Sequence, residues 1–316
     1  MIVALAGGVG GAKLADGLAR CVGAELSVVV NTGDDFEHLG LHISPDLDTV
    51  MYTLAGIANP ATGWGIAGET WNTLEQVARL GGPDWFKLGD RDLATHILRT
   101  QRLRGGGRLT DVTAGLCGAL KVAPRVLPMS DDSVRTVVAS GADRHPFQDY
   151  FVRLKCAVPV TALHFEGAET ARPSAEVTAA LTDPSLSAVV LCPSNPYLSI
   201  DPILAVPGMR ELIGKAGVPV VAVSPIIGGA AVKGPAAKIM AELGVTPSVA
   251  AIAEHYRGLI GGLMIDTVDA HFAGGIEALG MRVCVTDILM RTTEDRQRLA
   301  AECMAFAEDL TRHARA

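Results

Sequence analysis

Short apolar runs bounded by turn-forming residues alternate with segments of helical period along this 316-residue chain, and no other feature constrains its fold as much. The runs are IVALA (2–6), LSVVV (26–30), AVVLCPS (188–194), VPVVAVSP (218–225) and MRVCVTD (281–287). A helix from about Lys13 to Cys21 is expected between the first two. Strands that alternate with helices pair in parallel, and strands covered on both faces read as apolar throughout. The expected class is therefore α/β, a Rossmann-like, mostly parallel sheet with helices on both faces.

Two segments interrupt the alternation. Between Pro45 and Leu120 the pattern turns helical, with DLDTVMYTLAGI, GETWNTLEQVARL, RDLATHILRTQRL and LTDVTAGLCGAL as four candidate helices. From Ala123 to Gly167 the runs APRVLPM, RTVVAS, FQDYFVRL and VTALHF read as short strands. The expected organisation is a core formed by residues 1–122 and 168–316 with a helical insertion at about 45–122, and a small strand-rich subdomain at 123–167. A polar helix, roughly Thr293 to Arg312, closes the chain.

A formal charge of −7 and a pI near 5.6 argue against a nucleic-acid partner, which selects a basic stripe. The six cysteines are scattered without a CxxC pair, which points to reduced thiols and no structural zinc site. The N-terminus has no basic region, and the longest uncharged runs are broken by Pro and Gly. A cytoplasmic protein without membrane spans is expected.

The loops after the strands carry the chemistry. Residues 31–50, NTGDDFEHLGLHISPDLDTV, hold five carboxylates (Asp34, Asp35, Glu37, Asp46, Asp48) and no Lys or Arg, beyond the C-terminal end of the second strand. That is where open α/β sheets bind ligands. Asp34 and Asp35 suit Mg²⁺ held jointly with a substrate phosphate, the alternative being a solvated acidic loop. SPDLDT has the form of a helix entrance, so one acid of Asp46 and Asp48 can cap while the other faces the cleft; Asp46 is the expected cap. AGGVGGAKL (6–14) is a tight turn or a phosphate loop at a helix N-terminus. It is neither GxGxxG, which Lys13 breaks, nor a Walker A motif. In KLGDRD, Lys87 and Arg91 stand beside Asp90 and Asp92 as a helix cap with an intrahelical ion pair. PSNP (193–196) and SPIIGGAAVKGPA (224–236) offer Ser194, Asn195, Ser224, Gly228, Gly229 and Lys233 to a nucleotide. LPMSDDS (127–133) adds a further polar loop, and His38, His42 and His96 read as packing residues near the cleft.

In combination AGGVGGAKL, VVNTGDD, SPDLDTVMYTL, WFKLGDRDLATH, LPMSDD, PSNP and SPIIGGAAVKGPA resemble the 2-phospho-L-lactate transferase family of deazaflavin coenzyme biosynthesis, over nearly the full chain. The resemblance implies transfer of a phosphorylated three-carbon acid from a guanosine diphosphate-activated donor to the deazaflavin Fo. Guanosine monophosphate would leave, Mg²⁺ would be required, and the enzyme would be a homodimer. It places Asp48 and Lys87 on Fo, with Arg91 beside them. Gly8, Gly10, Gly11, Lys13, Ser194, Asn195, Ser224, Gly228, Gly229 and Lys233 fall in its donor region. Metal ligation falls among Asp34, Asp35 and Asp48. Two rival readings are a non-catalytic regulatory protein of the same fold that binds a sugar nucleotide, and a nicotinamide-dependent oxidoreductase. SPDLDT together with KLGDRD disfavours the first; the missing third glycine and Asn31 at the end of the second strand disfavour the other.

Overall fold

A computed structural model describes residues 1–315. The chain runs β1 (Ile2–Ala6), α1 (Gly8–Val22), β2 (Leu26–Val30), β3 (Phe36–His38), β4 (Leu41–Ile43), α2 (Pro45–Leu54), α3 (Asn72–Arg79), α4 (Asp90–Arg104), α5 (Leu109–Ala119) and β5 (Arg125–Pro128). It continues through β6 (Arg135–Ser140), β7 (Asp143–Pro146), β8 (Ala162–Glu166), α6 (Ala175–Leu181), β9 (Ala188–Leu191), α7 (Asp201–Ala205) and α8 (Met209–Lys215). The last part comprises β10 (Val220–Val223), β11 (Ile226–Ile227), β12 (Ala230–Ala231), α9 (Ala236–Glu242), α10 (Val249–His255), β13 (Gly262–Ile265), α11 (Ala273–Glu277), β14 (Arg282–Val285) and α12 (Thr293–Arg315).

Seven strands form one parallel sheet in the order β14-β13-β10-β9-β1-β2-β5. The chain grows outward from β1 through β2 to β5, then returns to the other side of β1 and grows through β9 to β14. The crevice between β1 and β9 is therefore the topological switch point, and the loops after both strands open into it. All five residues of β1 are buried. Val3 and Leu5 face one core with Val189 and Leu191, while Ile2, Ala4 and Ala6 face the other with Val28 and Val190. Burial on both faces is why the strands read as uninterrupted apolar runs. Helices α1 and α12 cover the second core; a Cβ on Gly17 would stand 2.0 Å from the Arg296 carbonyl oxygen, so this close approach requires glycine.

The four expected insertion helices all form, as α2 to α5. Other local details differ from the sequence reading. Helix α1 starts at Gly8, inside the glycine run rather than at Lys13, because Gly7 is extended (φ −159°, ψ 153°) and the turn is complete before it. Arg125–Pro128, read with the small strand-rich segment, pairs with β2 at the edge of the large sheet. FQDYFVRL is no strand: Asp149–Arg153 forms one wide helical turn, with Tyr150 buried beneath it. The fold also adds β13, GLMI, whose four residues give too short a signal to separate from the loops around it. β6 pairs antiparallel with β7 and β8 in a separate small sheet. No helix among the described residues is long and apolar enough to cross a membrane.

Candidate active site

At the switch point the glycine loop is fixed by side chains from two directions. The Gly7 N–H donates to Ser194 Oγ (3.0 Å) and the Gly8 N–H donates to Asp46 Oδ1 (2.6 Å). Gly8 has a positive φ of 60°, and a Cβ on Gly10 would stand 2.3 Å from the Pro193 carbonyl oxygen. Gly11 lies equally close to Ser194 Oγ, at 2.4 Å from the same hypothetical atom. The glycines thus seat the start of α1 against PSNP. Asn195 turns its Oδ1 back to accept the N–H groups of Tyr197 (3.0 Å) and Leu198 (3.2 Å), while its Nδ2 is buried without a partner.

Asp46 does not cap α2, whose entrance at Ser44 has no side-chain cap; it serves α1 instead. Its Oδ2 accepts from Asn31 Nδ2 (3.0 Å), which also reaches Asp34 Oδ1 (3.2 Å), so one amide ties the acidic loop to the helix entrance. Burial, partly offset by the hydrogen bonds from Asn31 and Gly8, pushes the Asp46 pKa up to about 6. Asp34 is raised well above the usual carboxylate range by burial and by the charges of Asp46 and Asp35, with Arg135 opposing. Asp35 accepts Ser44 Oγ (2.8 Å) and His42 Nε2 (3.0 Å) on Oδ2; its Oδ1 is buried and unpartnered.

Asp48 points the other way, as two acids separated by two residues of a helix must. Both its oxygens pair with the Arg99 guanidinium, one at 3.0 Å, and these side chains are 7% and 1% exposed. His96 Nδ1 stands 3.7 Å from Asp48, and its Nε2 stands 3.3 Å from Asp92 Oδ1, which also accepts the Tyr52 hydroxyl (2.7 Å). Burial opposes the charge on Asp92, but hydrogen bonds from His96 and Tyr52 outweigh it and its pKa falls. Among the described residues, Asp48, Asp92 and His96 form the one trio whose ligand atoms all lie within 4.8 Å of one another; Asp34 and Asp35 are not part of it.

Lys87 is exposed, with Nζ 5.9 Å from the Trp71 ring centre, and Arg91 is exposed with Nη1 on the Ala67 carbonyl (3.0 Å). Neither forms the ion pair expected in KLGDRD. Asp90 instead caps α3, accepting the N–H groups of Asn72 and Thr73 (3.0 Å each), while Glu69 caps α4 through Arg91 N (2.7 Å) and Asp92 N (3.1 Å). Trp64, Trp71, Glu69 and Asp92 line a cleft at this end. On the far side of the glycine loop, Lys233 donates to the Thr62 carbonyl (2.6 Å) and Lys13 to that of Met290 (2.9 Å). Burial and the neighbouring charges of Arg296 and Lys233 lower the Lys13 pKa. Ser224 is spent within its own turn, on Ile226 N (3.1 Å) and O (2.9 Å); Gly228 N–H donates to Asp269 (2.9 Å), and Gly229 has a positive φ of 77°.

Sequence reasoning left out Arg99 and Arg135, and it read Asn31 only as the end of the second strand, not as the amide that joins Asp34 to Asp46. Asp92, His96 and Arg99 lie at i, i+4 and i+7, one face of α4, a spacing that points to a shared polar network.

A parallel sheet with glycine and Ser/Asn loops at a switch point, beside converging buried acids, defines an α/β protein of the class that binds its ligands beyond the strand ends. The family model for the 2-phospho-L-lactate transferase CofD matches residues 2–301, and the chain belongs to that family. It is 47% identical to the phosphoenolpyruvate transferase of Streptomyces avermitilis over 98% of each chain. It is 43% identical to that of Mycobacterium ulcerans over 81% of this chain and 83% of the relative. Family and relatives mark it as a transferase. Two crystal structures of a Bacillus halodurans protein, one described as a member of the UPF0052 family, share the fold at TM-scores of 0.63 and 0.62. Their identities are 18% and 14%, over 96% of this chain and 98% of theirs.

Proposed function

We propose that the protein transfers a phosphoenolpyruvyl unit from a guanosine diphosphate-activated donor to a hydroxyl of the deazaflavin Fo, forming a phosphodiester and releasing guanosine monophosphate. The phospholactyl and phosphoglyceryl versions of the same transfer are its alternatives. The observation that carries the reading is the crowding of Asp34 with Asp35 and Asp46, the last of which holds the entrance of α1 beside the Pro193–Asn195 loop. Crowded buried acids need a counter-charge, and the positive end of a helix favours an anion. A dication with a phosphate supplies both. The names of the relatives favour phosphoenolpyruvate as the acid.

The orphaned Asp35 Oδ1 and the mutual repulsion around Asp34 fit Mg²⁺, which binds through one or two carboxylates and completes its shell with phosphate and water. An ion held there would neutralise phosphate charge. Asp48, with both oxygens on Arg99, fits that shell poorly and acts as an anchor of α2 to α4. The rest is positioning: the Gly8–Gly11 entrance and Asn195 Nδ2 hold the donor, and Lys13 and Lys233 supply positive charge behind it. Asp92, Trp71 and Lys87 orient the acceptor. Its hydroxyl oxygen forms the new bond to the acid-bearing phosphorus as the bond to guanosine monophosphate breaks, and the hydroxyl proton leaves to water or a carboxylate. No covalent intermediate with the protein is needed.

Mass spectrometry of the product formed from Fo, GTP and each acid, with the matching donor-forming enzyme, tests this. The phosphoenolpyruvyl diester is expected; phospholactyl product alone would overturn the acid chosen, and no diester with any acid would overturn the transfer. Lys87→Ala should weaken Fo binding more than donor binding in calorimetry, and the reverse order would remove Lys87 from the acceptor site.

The raised acids also give a pH signature. An acid whose folded pKa is raised holds its proton more tightly in the fold. Its contribution is therefore best below the unfolded value of 3.8 and is lost as pH rises through the folded value, about 6 for Asp46. Thermal stability without Mg²⁺ should fall between pH 4 and about 6 on this account. Added Mg²⁺ should raise the melting temperature at pH 7.5 and not at pH 5; an equal shift at both would argue against these acids as the ion's seat.

A further inference from the structure

Three of the segments that meet at the switch point share Asn31. The residue follows the last of β2, and its N–H donates to the Ala6 carbonyl at the end of β1 (3.1 Å), so the sheet fixes where its side chain starts. It is fully buried. Its Oδ1 accepts the Gly33 N–H (2.7 Å), which leaves Nδ2 aimed at the acids. There Nδ2 meets three acceptors from three segments: Asp34 Oδ1 (3.2 Å), Asp46 Oδ2 (3.0 Å) and the Leu198 carbonyl (3.3 Å).

These bonds continue on both sides. Asp46 Oδ1 accepts the Gly8 N–H at the start of α1 (2.6 Å), and a Cβ on Gly7 would stand 2.4 Å from Asp46 Oδ2, so the glycine lets the carboxylate reach. Leu198 belongs to the turn that Asn195 opens by accepting the N–H groups of Tyr197 and Leu198. A continuous hydrogen-bonded line therefore runs from Asp34 through Asn31 and Asp46 to the helix entrance, with a branch to the segment after β9. Asp34 and Asp46 repel each other as like charges, yet both bind one nitrogen.

Asparagine is the side chain this junction demands. It needs two hydrogens on one nitrogen with an acceptor beside it, close to a strand end. Aspartate has the shape but no hydrogen, and adds a negative charge to a group of acids; serine offers one hydrogen, and glutamine moves the amide a methylene farther out. Where dinucleotide-binding folds set an acid on ribose at the end of the second strand, the amide here answers carboxylates, and its own atoms are spent inside the protein. Asn31 therefore acts on a ligand only through Asp34 and Asp46. Two hydrogens serve three acceptors. A cation that takes up the charge of Asp34 leaves them to Asp46 and Leu198, which hold the α1 entrance and the segment after β9.

We infer that Asn31 is a positioning residue that sets the cation acids and the entrance of α1 in one register, so that a divalent cation and a phosphorylated ligand each tighten the binding of the other through its amide. The inference rests on the reading of this site as one for a cation with a phosphate. Such linkage is reciprocal. Calorimetry reads guanosine diphosphate binding with and without saturating Mg²⁺ on the wild type, Asn31→Ala, Asp46→Asn and the double variant. The complex of ion and nucleotide formed in solution is common to all four, so differences between the proteins report on the site. The factor by which Mg²⁺ tightens the nucleotide should fall about tenfold in Asn31→Ala, the lower end of what partners that orient metal ligands are worth. Added to Asp46→Asn, the same change should cost less than about twofold, because the line is already cut. A role in packing alone lowers the melting temperature and leaves the factor unchanged. That result overturns the inference, as does a wild type whose nucleotide binding ignores Mg²⁺ or a full further loss in the double variant. If Asn31→Ala does not fold, Asn31→Ser, which keeps one donor, should show a smaller fall in the same factor, and an undiminished factor overturns the inference. Diester formation by the wild type is scored separately: its absence beside an intact Mg²⁺ factor removes the transfer and leaves the role of Asn31 standing.

Discussion

Arg99→Met is expected to cost about 3–5 kcal/mol of stability, the usual penalty for stripping one partner from a buried ion pair. Arg99 and Asp48 are both buried and Arg99 holds both oxygens of Asp48, so the variant strands a carboxylate inside the protein. Asp48→Asn alone should also destabilise, because it leaves the guanidinium without its counter-charge. The double variant Asp48→Asn/Arg99→Met should recover much of the loss, since neither charge then remains buried alone. Urea unfolding of the four proteins completes the cycle. Losses under about 1 kcal/mol for both single variants would class the pair with exposed bridges and undo its role as an anchor. Turnover separates the anchor from a metal ligand: Asp48→Asn retaining near wild-type turnover at saturating Mg²⁺ removes Asp48 from the reacting atoms.

Asp34→Asn is expected to act in opposite directions on stability and activity. The carboxylate is buried and is repelled by Asp46 and Asp35, so an amide there should raise the melting temperature at pH 7.5 in the absence of Mg²⁺. Turnover should fall about a hundredfold or more, because even residues that merely orient metal ligands are worth 10–100-fold. The Mg²⁺-dependent rise in melting temperature should shrink with it. Strain concentrated at a site and relieved at the expense of function is the usual stability–activity trade. A variant that is both less stable and fully active would show that Asp34 is a structural acid and that the cation, if any, sits elsewhere.

Much of the scaffold was legible because its cause is local. IVALA, LSVVV and AVVLCPS read as doubly buried strands, and β1, β2 and β9 are paired and buried on both faces. Helices α2 to α5 were legible from their period. Less local was the partner of a strand. Arg125–Pro128 has the composition of any short strand, and only the register Val28 to Val126 puts it on the large sheet. FQDYFVRL failed as a strand because aromatic residues satisfy β-propensity and a wide helical turn equally well, and the segment turns so that Tyr150 is buried.

In the site, the sequence picked out the loops but paired the side chains wrongly. Asp46 was assigned to its own helix and is bonded to the entrance of another. Asp90 and Glu69 exchange helices, Asp90 capping α3 and Glu69 α4, because the chain between them folds back and each carboxylate meets the nearer free N–H groups. The acidic run lacked Lys and Arg within its own twenty residues, yet its cations arrive from afar, Arg99 from α4 and Arg135 from β6.

The sequence by itself determined the α/β class, the family, and which loops gather at the strand ends, since these follow from apolar period and from turn chemistry read a few residues at a time. Only the tertiary structure decided which acids crowd one another, Asp34 against Asp35 and Asp46, and that Asp48 is instead paired with Arg99. Hydrogen bonds and charge pairs form between residues tens to hundreds of positions apart, and their partners are fixed by the order of strands in the sheet, which no local pattern encodes.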